Sequence, residues 1–243
     1  MTLNFPDYVS VDLIHTVGLA IGVIVILVVL YEFVRWRGVL TPIAKASKLG
    51  TRRWLGIFAN TIVSDMVYQQ ISPKCPDQKW FSHSLMFWGF LLLAASTTVN
   101  YLTNPTGGPL PLTDPVRILG NAGGVIIVAG LLMVLYRISA DPEKREVTYG
   151  ADYLFIGLLL LAAGTGFASE FASELNALAW IYGVYVIHLL SSAAILLVAP
   201  FSRFIHAFGR PVIRLSERYL EALSREGIIK PSEMTAVPLL REE

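Results

Sequence analysis

The sequence has a single cysteine, Cys75, among its 243 residues. One cysteine cannot form a disulfide within the chain, and it cannot supply the thiolates that hold an iron–sulfur cluster. Any such cluster that works with this chain would therefore belong to another protein. We interpret Cys75 as structurally incidental.

Charged residues are also scarce. Asp, Glu, Lys and Arg make up 15% of the sequence, whereas 54% of the residues are hydrophobic. Typical soluble domains carry about 25% charged residues, so this composition excludes a soluble globule. The net charge is +1 and no basic patch carries interleaved aromatics, which excludes nucleic-acid binding. We find no nucleophile motif, P-loop, dinucleotide fingerprint or metalloprotease motif, so a complete enzyme is not expected.

Five apolar stretches are long enough to cross a bilayer, which takes about 20 helical residues. We therefore predict an all-α membrane protein with five transmembrane helices. The first stretch is longer than the apolar core of a signal peptide and no basic segment precedes it, so we expect it to be retained. The predicted spans are residues 13–34, 81–101, 116–135, 153–171 and 178–206.

Basic residues indicate the orientation of the chain, because they are retained on the cytoplasmic side. Eighteen of the 19 Lys and Arg residues fall in segments 35–79, 137–145 and 203–241; the exception is Arg117, at the mouth of the third span. We predict a multi-pass protein of the cytoplasmic membrane with its N-terminus outside and its C-terminus inside. Residues 1–206 would form the membrane domain and residues 207–243 a cytoplasmic tail.

Two segments on the inner side carry helical patterns. In the connection 36–80, four apolar residues recur at helical spacing and predict an amphipathic helix on the inner surface, where a partner could dock. They are Leu55, Phe58, Ile62 and Met66. In the tail, Ser216 as N-cap and Gly227 as a stop predict one short helix over 217–226. Residues 231–243 are expected to be disordered or laid against another protein.

The chain has four histidines, and all lie in or at the ends of predicted spans: His15, His83, His188 and His206. Unpaired imidazoles are costly in a membrane, so the pattern points to haem iron, although a lone histidine could simply hydrogen-bond across helices. His188 and His206 are eighteen residues apart, or about five turns, and would face the same way on one helix. His83 and His206 would share the inner depth, where a bis-histidine haem b fits. His15 and His188 would lie in the outer half.

Several segments resemble the membrane cytochrome b subunit family of respiratory nitrate reductase (its gamma subunit), heterodisulfide reductase and sulfite-reductase-linked membrane complexes. The similarity covers all five predicted spans and includes the eighteen-residue spacing of the last two histidines. The segments that carry it are 79–83 (Lys-Trp-Phe-Ser-His), 87–90 (Phe-Trp-Gly-Phe), 117–124 (Arg-Ile-Leu-Gly-Asn-Ala-Gly-Gly) and 200–206 (Pro-Phe-Ser-Arg-Phe-Ile-His).

The resemblance implies two stacked b haems that carry electrons between a quinone at the outer side, menaquinone or ubiquinone, and a cytoplasmic iron–sulfur or flavin subunit. His83 and His206 match the inner haem ligands, and His188 matches one outer ligand. The family's second outer ligand falls at Leu93, which cannot bind iron. The outer haem is then absent, or has one protein ligand, or takes His15; we favour His15. Quinone hydrogen bonding is the competing role for His188 and His15.

Several further residues are candidates for roles at the haems or the quinone. The guanidinium of Arg117 could hold a haem propionate or a quinone oxygen, or it could anchor lipid headgroups. Arg203, about one turn before His206, could pair with an inner propionate. Glu170 and Glu174 could release quinol protons or be solvated helix-end carboxylates. Glycines in the third and fourth spans would let a porphyrin or a neighbouring backbone approach: Gly120, Gly123, Gly124, Gly164 and Gly166.

We therefore expect an electron-transfer subunit of a quinone-linked respiratory oxidoreductase. Quinol at the outer side would give up electrons that pass inward, and the same carriers would serve electron flow in the reverse direction. The alternative is a membrane anchor or quinone-binding subunit with one haem or none. A transporter or channel is the weakest interpretation, because the spans hold little ionisable besides histidine.

Overall fold

The computed structural model describes residues 9–35, 37–69, 77–108, 110–174, 178–202 and 206–229, and all regular structure in these residues is helical. Among the described residues, five helical segments are long and apolar enough to cross a membrane: Val11–Arg35, Lys79–Thr103, Pro115–Ala140, Gly150–Ala172 and Tyr182–Phe201. The prediction of five spans is confirmed, and the protein is a multi-pass membrane protein. In chain order the helices are α1 (Val11–Arg35), α2 (Arg37–Lys45), α3 (Thr51–Thr61), α4 (Asp77–Thr103), α5 (Pro115–Ala140), α6 (Pro142–Glu146), α7 (Gly150–Glu174), α8 (Leu178–Val198) and α9 (His206–Arg225).

Two helices begin at Asp-Pro pairs. The carboxylate of Asp114 accepts a hydrogen bond of 2.8 Å from the amide of Val116, and Pro115 opens α5. Asp141 likewise caps α6, ahead of Pro142. An aspartate at the N-cap satisfies an amide that the helix itself cannot bond, and proline suits the first helical position. These caps fix where the third span begins and where the turn after it starts.

The last span ends earlier than predicted. The prediction of one helix from residue 178 through His206 is wrong, because α8 stops at Val198 and a short 3₁₀ turn, Ala199–Phe201, follows it. Pro200 lies in that turn. Because its backbone nitrogen carries no hydrogen to donate, proline does not continue an α-helix. His206 instead begins α9, so His188 and His206 are not on one straight helix.

The chain divides into two compact units. Unit 1 comprises Met1–Ile24 and Cys75–Ser202, and unit 2 comprises Val25–Lys74 and Arg203–Glu243. In unit 1, α4 packs on α5, α5 on α7, and α7 on α8. The α4–α5 contact is a backbone approach: a Cβ on Gly89 would lie 2.7 Å from the amide nitrogen of Ile127, and a Cβ on Gly123 would lie 3.0 Å from the carbonyl oxygen of Gly89.

Unit 2 is built around a core of large side chains from α2, α3 and α9. Tyr219 and Leu223 of α9 are fully buried, together with Val39 of α2. The Tyr219 hydroxyl donates to the carbonyl oxygen of Trp54 at 3.1 Å, and burial raises its pKa above the ordinary tyrosine value. The unit is thus held by interlocking side chains and by polar bonds at their edges.

The predicted helices on either side of this core are confirmed in part. The amphipathic pattern forms α3, which continues as a π-helix over Ile62–Val67. Gly227 has a φ of +70° and lies just after the end of α9, as predicted for the residue that stops the tail helix. The assignment of Ser216 as an N-cap is wrong, because α9 begins ten residues earlier, at His206. Burial of Val212 and Ile213 on the core extends the helix, and the Ser216 hydroxyl donates to the carbonyl oxygen of Val39 at 2.6 Å.

Candidate functional site

His188 lies in the middle of α8 and is hydrogen-bonded to α7. Its Nδ1 atom is 2.8 Å from the carbonyl oxygen of Ala162. Because a carbonyl oxygen carries no proton, Nδ1 is the donor. In the neutral imidazole the lone pair then lies on Nε2, which is the atom left to coordinate iron or to accept a proton.

The imidazole of His188 lies against Gly166 of α7. A Cβ atom at Gly166 would lie 3.2 Å from Cε1 and 3.4 Å from Nδ1 of His188. Gly166 is one turn from Ala162 on the same helix face, so its missing side chain leaves room for the ring beside the carbonyl. Metal-bound histidines typically donate their second ring nitrogen to a backbone carbonyl or carboxylate. The donor chemistry of His188 therefore fits a haem ligand.

His15, near the start of α1, contacts Tyr101, near the end of α4. The ring centroids are 4.7 Å apart and the planes make an angle of 69°, an edge-to-face arrangement that aromatic rings favour. Sequence reasoning missed Tyr101. Antiparallel spans give a signal that would have found it, since the start of one and the end of the next lie at the same depth. The contact limits how the imidazole of His15 can turn.

His83 lies near the start of α4 and is half-buried. The hydroxyl of Ser82, its neighbour in sequence, accepts a hydrogen bond of 3.3 Å from Nη1 of Arg137, near the end of α5. The structure thus brings a guanidinium to the residue next to His83. Sequence reasoning counted Arg137 only as a marker of orientation.

His206 belongs to unit 2, whereas His83 belongs to unit 1. The side chain of His206 lies outside the described residues, as do Arg203 and Cys75 entirely. Since the one-helix argument for the depth of His206 is wrong, the pairing of His83 with His206 rests on the family resemblance alone. The roles predicted for His206 and Arg203 stay predictions.

Arg117 links α5 to α7 where the third span begins and the fourth span ends. Its Nη2 and Nε donate to one carboxylate oxygen of Glu170, at 2.8 and 3.2 Å, and its Nη1 lies 2.9 Å from Glu174. Nη1 also donates to the carbonyl oxygen of Leu110 at 2.8 Å. The amide of Asn121 donates to the same Glu170 oxygen at 2.8 Å.

This cluster changes how its members are interpreted. The side chains of Arg117 and Glu170 are 18% and 25% exposed, so the pair is mostly shielded, whereas Glu174 is 47% exposed. Sequence reasoning weighed these residues separately and missed that they bind one another. A haem propionate or quinone oxygen would have to share the guanidinium with two protein carboxylates. The ligand role of Arg117 stays a prediction, and the structure gives it a role in joining two spans.

Among the residues that the structure describes, no group of three or more His, Cys, Asp or Glu side chains could hold a metal ion. A haem needs only one or two protein ligands, and a single histidine can supply each of them. The hydrogen-bonded imidazole of His188 meets that need.

No protein-family model matches the chain, and no solved structure matches it. Several curated proteins do match the chain. One of them is a subunit of the dihydromethanophenazine:CoB–CoM heterodisulfide reductase of Methanosarcina thermophila. It is 25% identical over 177 residues, which cover 65% of this chain and 65% of that protein. The respiratory nitrate reductase 1 gamma chain of Escherichia coli is 26% identical over 125 residues, 41% of this chain and 56% of that protein.

A third relative, citrate utilization protein B of Escherichia coli, is 32% identical over 135 residues, which cover 53% of this chain and 34% of that protein. The chain therefore spans slightly less than two thirds of the first relative and smaller shares of the other two. Two of the three kinds of complex that the sequence analysis named, heterodisulfide reductase and nitrate reductase, are among these relatives, so the predicted resemblance is confirmed.

Proposed function

We propose that this chain, a distant homologue of the membrane cytochrome b subunits of heterodisulfide and nitrate reductases, is a haem-binding electron-transfer subunit. It would pass electrons between a membrane quinone, menaquinone or ubiquinone, and a cytoplasmic iron–sulfur or flavin subunit. The first relative's name gives a donor, dihydromethanophenazine, and an acceptor, the heterodisulfide, and calls that protein one subunit of the reductase. A multi-subunit arrangement of this kind suits a chain with one cysteine.

The observation that carries the proposal is the hydrogen bond of His188. Donation from Nδ1 to the carbonyl oxygen of Ala162 leaves Nε2 with its lone pair, as an iron ligand requires. A bound haem b would supply one-electron redox chemistry there. The chain itself orients the imidazole, which is half-buried on an apolar helix. The same tautomer suits a quinol hydroxyl, because Nε2 can accept its proton.

The remaining assignments follow from the family resemblance and from the distribution of basic residues. We assign His188 and His15 to an outer haem, and His83 and His206 to an inner one. The N-terminus would face outwards, with residues 207–243 in the cytoplasm. Arg117 and Arg203 are proposed to lie near propionates of the outer and inner haems.

The reduced-minus-oxidised visible spectrum of the purified protein, with haem counted per chain, tests the proposal. We expect two haems in the wild type and one in His188→Ala and in His83→Ala. Ser191→Ala is the control, since among the described residues this buried hydroxyl on α8 bonds only within its own helix, to the carbonyl oxygen of His188. A colourless protein would leave a haem-free anchor as the function.

A wild type with one haem would instead support the single-haem alternative. His15→Ala then decides the outer ligand, since retention of two haems in that variant would exclude His15. Orientation is tested separately, with reporter fusions after residues 107 and 147. The first should report the outside and the second the cytoplasm.

A further inference from the structure

We propose that Gly166 is a positioning residue for His188. Its missing side chain holds open a slot on α7 in which the imidazole binds the Ala162 carbonyl, and so selects which ring nitrogen faces the ligand. The inference rests on the proposed function insofar as that ligand is haem. The slot and the tautomer that it selects are features of the chain itself.

The slot is specific to one glycine of this helix. Gly157 and Gly164, also in α7, would meet nothing within 4 Å if each carried a Cβ, and neither would Gly183 of α8. Among these glycines, Gly166 alone faces a side chain of the neighbouring helix, and that side chain is His188. Because Gly164 and Gly166 differ by two residues, they point away from each other on the helix. Gly164 thus provides a matched control within the same turn.

The imidazole has little freedom to yield to a larger residue. The ring is tied to α7 by the 2.8 Å bond to the Ala162 oxygen. A Cβ at position 166 would lie 3.2 Å from Cε1, tighter than ordinary van der Waals contact between carbon atoms, about 3.5 to 4.0 Å. The ring must then move by a few tenths of an ångström. The direction that relieves the contact carries Nδ1 away from α7 and lengthens its bond to the carbonyl.

That displacement has an electronic consequence. A hydrogen bond from Nδ1 to a backbone oxygen raises the basicity of Nε2, which stabilises ferric iron over ferrous iron. A weaker bond therefore raises the midpoint potential of a haem held by His188. It also releases the preference for the Nδ1-protonated tautomer, so that Nε2 becomes able to carry the proton. Gly166 would in this way set both the potential and the proton position at the outer site.

The test compares Gly166→Ala and Gly166→Val with Gly164→Ala and Gly164→Val in the full chain. In redox titrations monitored by visible spectra, we expect the Gly166 variants to raise the potential of one haem. A tenfold change in the ferric-to-ferrous equilibrium would appear as about 59 mV for one electron. The valine should shift the potential more than the alanine, and neither Gly164 variant should shift it.

A second measurement does not depend on haem. The chain has four histidines, so ¹⁵N-histidine labelling gives few imidazole signals, and His188→Ala identifies the one from His188. In haem-depleted protein we expect an Nδ1-protonated signal for His188 in the wild type and in Gly164→Val. In Gly166→Val this signal should become a mixture of both tautomers.

The outcomes separate the two proposals. Absence of haem from the wild type, with the tautomer shift seen only in the Gly166 variants, overturns the proposed function and supports the slot. Equal potentials and equal ¹⁵N signals in the Gly166 and Gly164 variants overturn the slot, whatever the haem content. Should Gly166→Val fail to insert, Gly166→Ala and its ¹⁵N spectrum decide.

Discussion

Helices of unit 1 meet where side chains are missing, whereas helices of unit 2 meet where side chains are large. In unit 1, Gly89 and Gly123 let the backbones of α4 and α5 come together, with no room for a Cβ between them. In unit 2, Tyr219, Leu223 and Val39 fill the space between α9 and α2. Both solutions pack helix on helix, but they use opposite residue types.

The environments predicted for these helices account for the difference: lipid for the spans of unit 1, and water for α2, α3 and α9 of unit 2. Lipid tails are as apolar as leucine, so large apolar side chains gain little by leaving lipid for a helix interface, and close backbone packing takes over. In water, burial of the same side chains contributes roughly 25 cal/mol for each Å² of apolar surface. The exposure of two leucines agrees with this: Leu132 of α5, in a span, is 55% exposed, whereas Leu223 of α9 is fully buried. The stability of unit 2 should therefore fall when a buried side chain is made smaller, and that of unit 1 when a glycine at a helix contact is made larger.

Removing a large side chain should damage unit 2 most. Leu223→Ala leaves a cavity in a core residue that is fully buried, and such truncations cost about 2 to 5 kcal/mol. We expect amide hydrogen exchange in α9 and α3 to accelerate accordingly in the detergent-solubilised chain. Leu132→Ala in α5 is the control, and its span should keep wild-type exchange. Equal effects of the two truncations would contradict the comparison.

Adding a small side chain should damage unit 1 next. Gly89→Ala places a Cβ 2.7 Å from a backbone nitrogen of α5, and backbone cannot move aside as a flexible side chain does. Overpacking of this kind costs about 1 to 3 kcal/mol. Denaturation in mixed micelles should show a lower midpoint for Gly89→Ala. Gly157→Ala, which meets nothing within 4 Å, should match the wild type or exceed it.

The span pattern was predictable because it depends on local composition. An apolar run of about 20 residues is typical of a transmembrane helix. Each of the five predicted spans overlaps a helix of the structure. The end of the fifth was missed because hydropathy continues through Pro200 while the backbone hydrogen-bond pattern does not. Ser216 was misread for the opposite reason, since tertiary burial of Val212 extends α9 beyond its local capping signals.

The site was predictable in its residue types but not in its contacts. Histidines in apolar spans identified His188, yet its partner is a backbone carbonyl, and every residue has one. Arg117 and Glu170 are 53 residues apart, and no local pattern states that α5 and α7 are neighbours. The bond between them depends on packing at glycines such as Gly124, where a Cβ would lie 2.7 Å from Phe167 of α7.

An arginine network offers a smaller test in unit 2. Arg218 of α9 donates to Asn60, Ser64 and Asp65 at 2.8 to 3.0 Å. Within the part of the chain that the structure describes, Arg214 makes only an exposed pair with Glu217, one turn away. Arg218→Gln should cost about 1 to 2 kcal/mol, the range for hydrogen bonds to charged groups reduced for partial exposure. Arg214→Gln should cost less than about 0.5 kcal/mol. Hydrogen exchange in the π-helix measures the difference. Similar losses of stability in the two variants would show that the Arg218 network does not stabilise unit 2.

The smallest expected effect compares two buried serines. Ser216 in unit 2 donates to the carbonyl oxygen of Val39 at 2.6 Å and is 3% exposed. Ser169 in α7 is 7% exposed, and its hydroxyl has no partner among the described residues. Ser216→Ala should cost about 1 kcal/mol, because a satisfied buried hydrogen bond is lost. Ser169→Ala loses no bond and removes a buried hydroxyl, so stability should stay equal or rise.

Hydrogen exchange of α9 and micelle denaturation of the spans measure the two serine variants in the same chain. A loss in Ser169→Ala as large as that in Ser216→Ala would mean that the Ser169 hydroxyl is bonded in the membrane. Since α7 carries both Ser169 and Gly166, that bond would lie on the helix that orients His188. The His188→Ala, Ser169→Ala double variant then measures whether the two side chains are coupled, because independent sites give additive losses. Additive losses would leave the slot at Gly166 as the local feature of α7 that positions the imidazole.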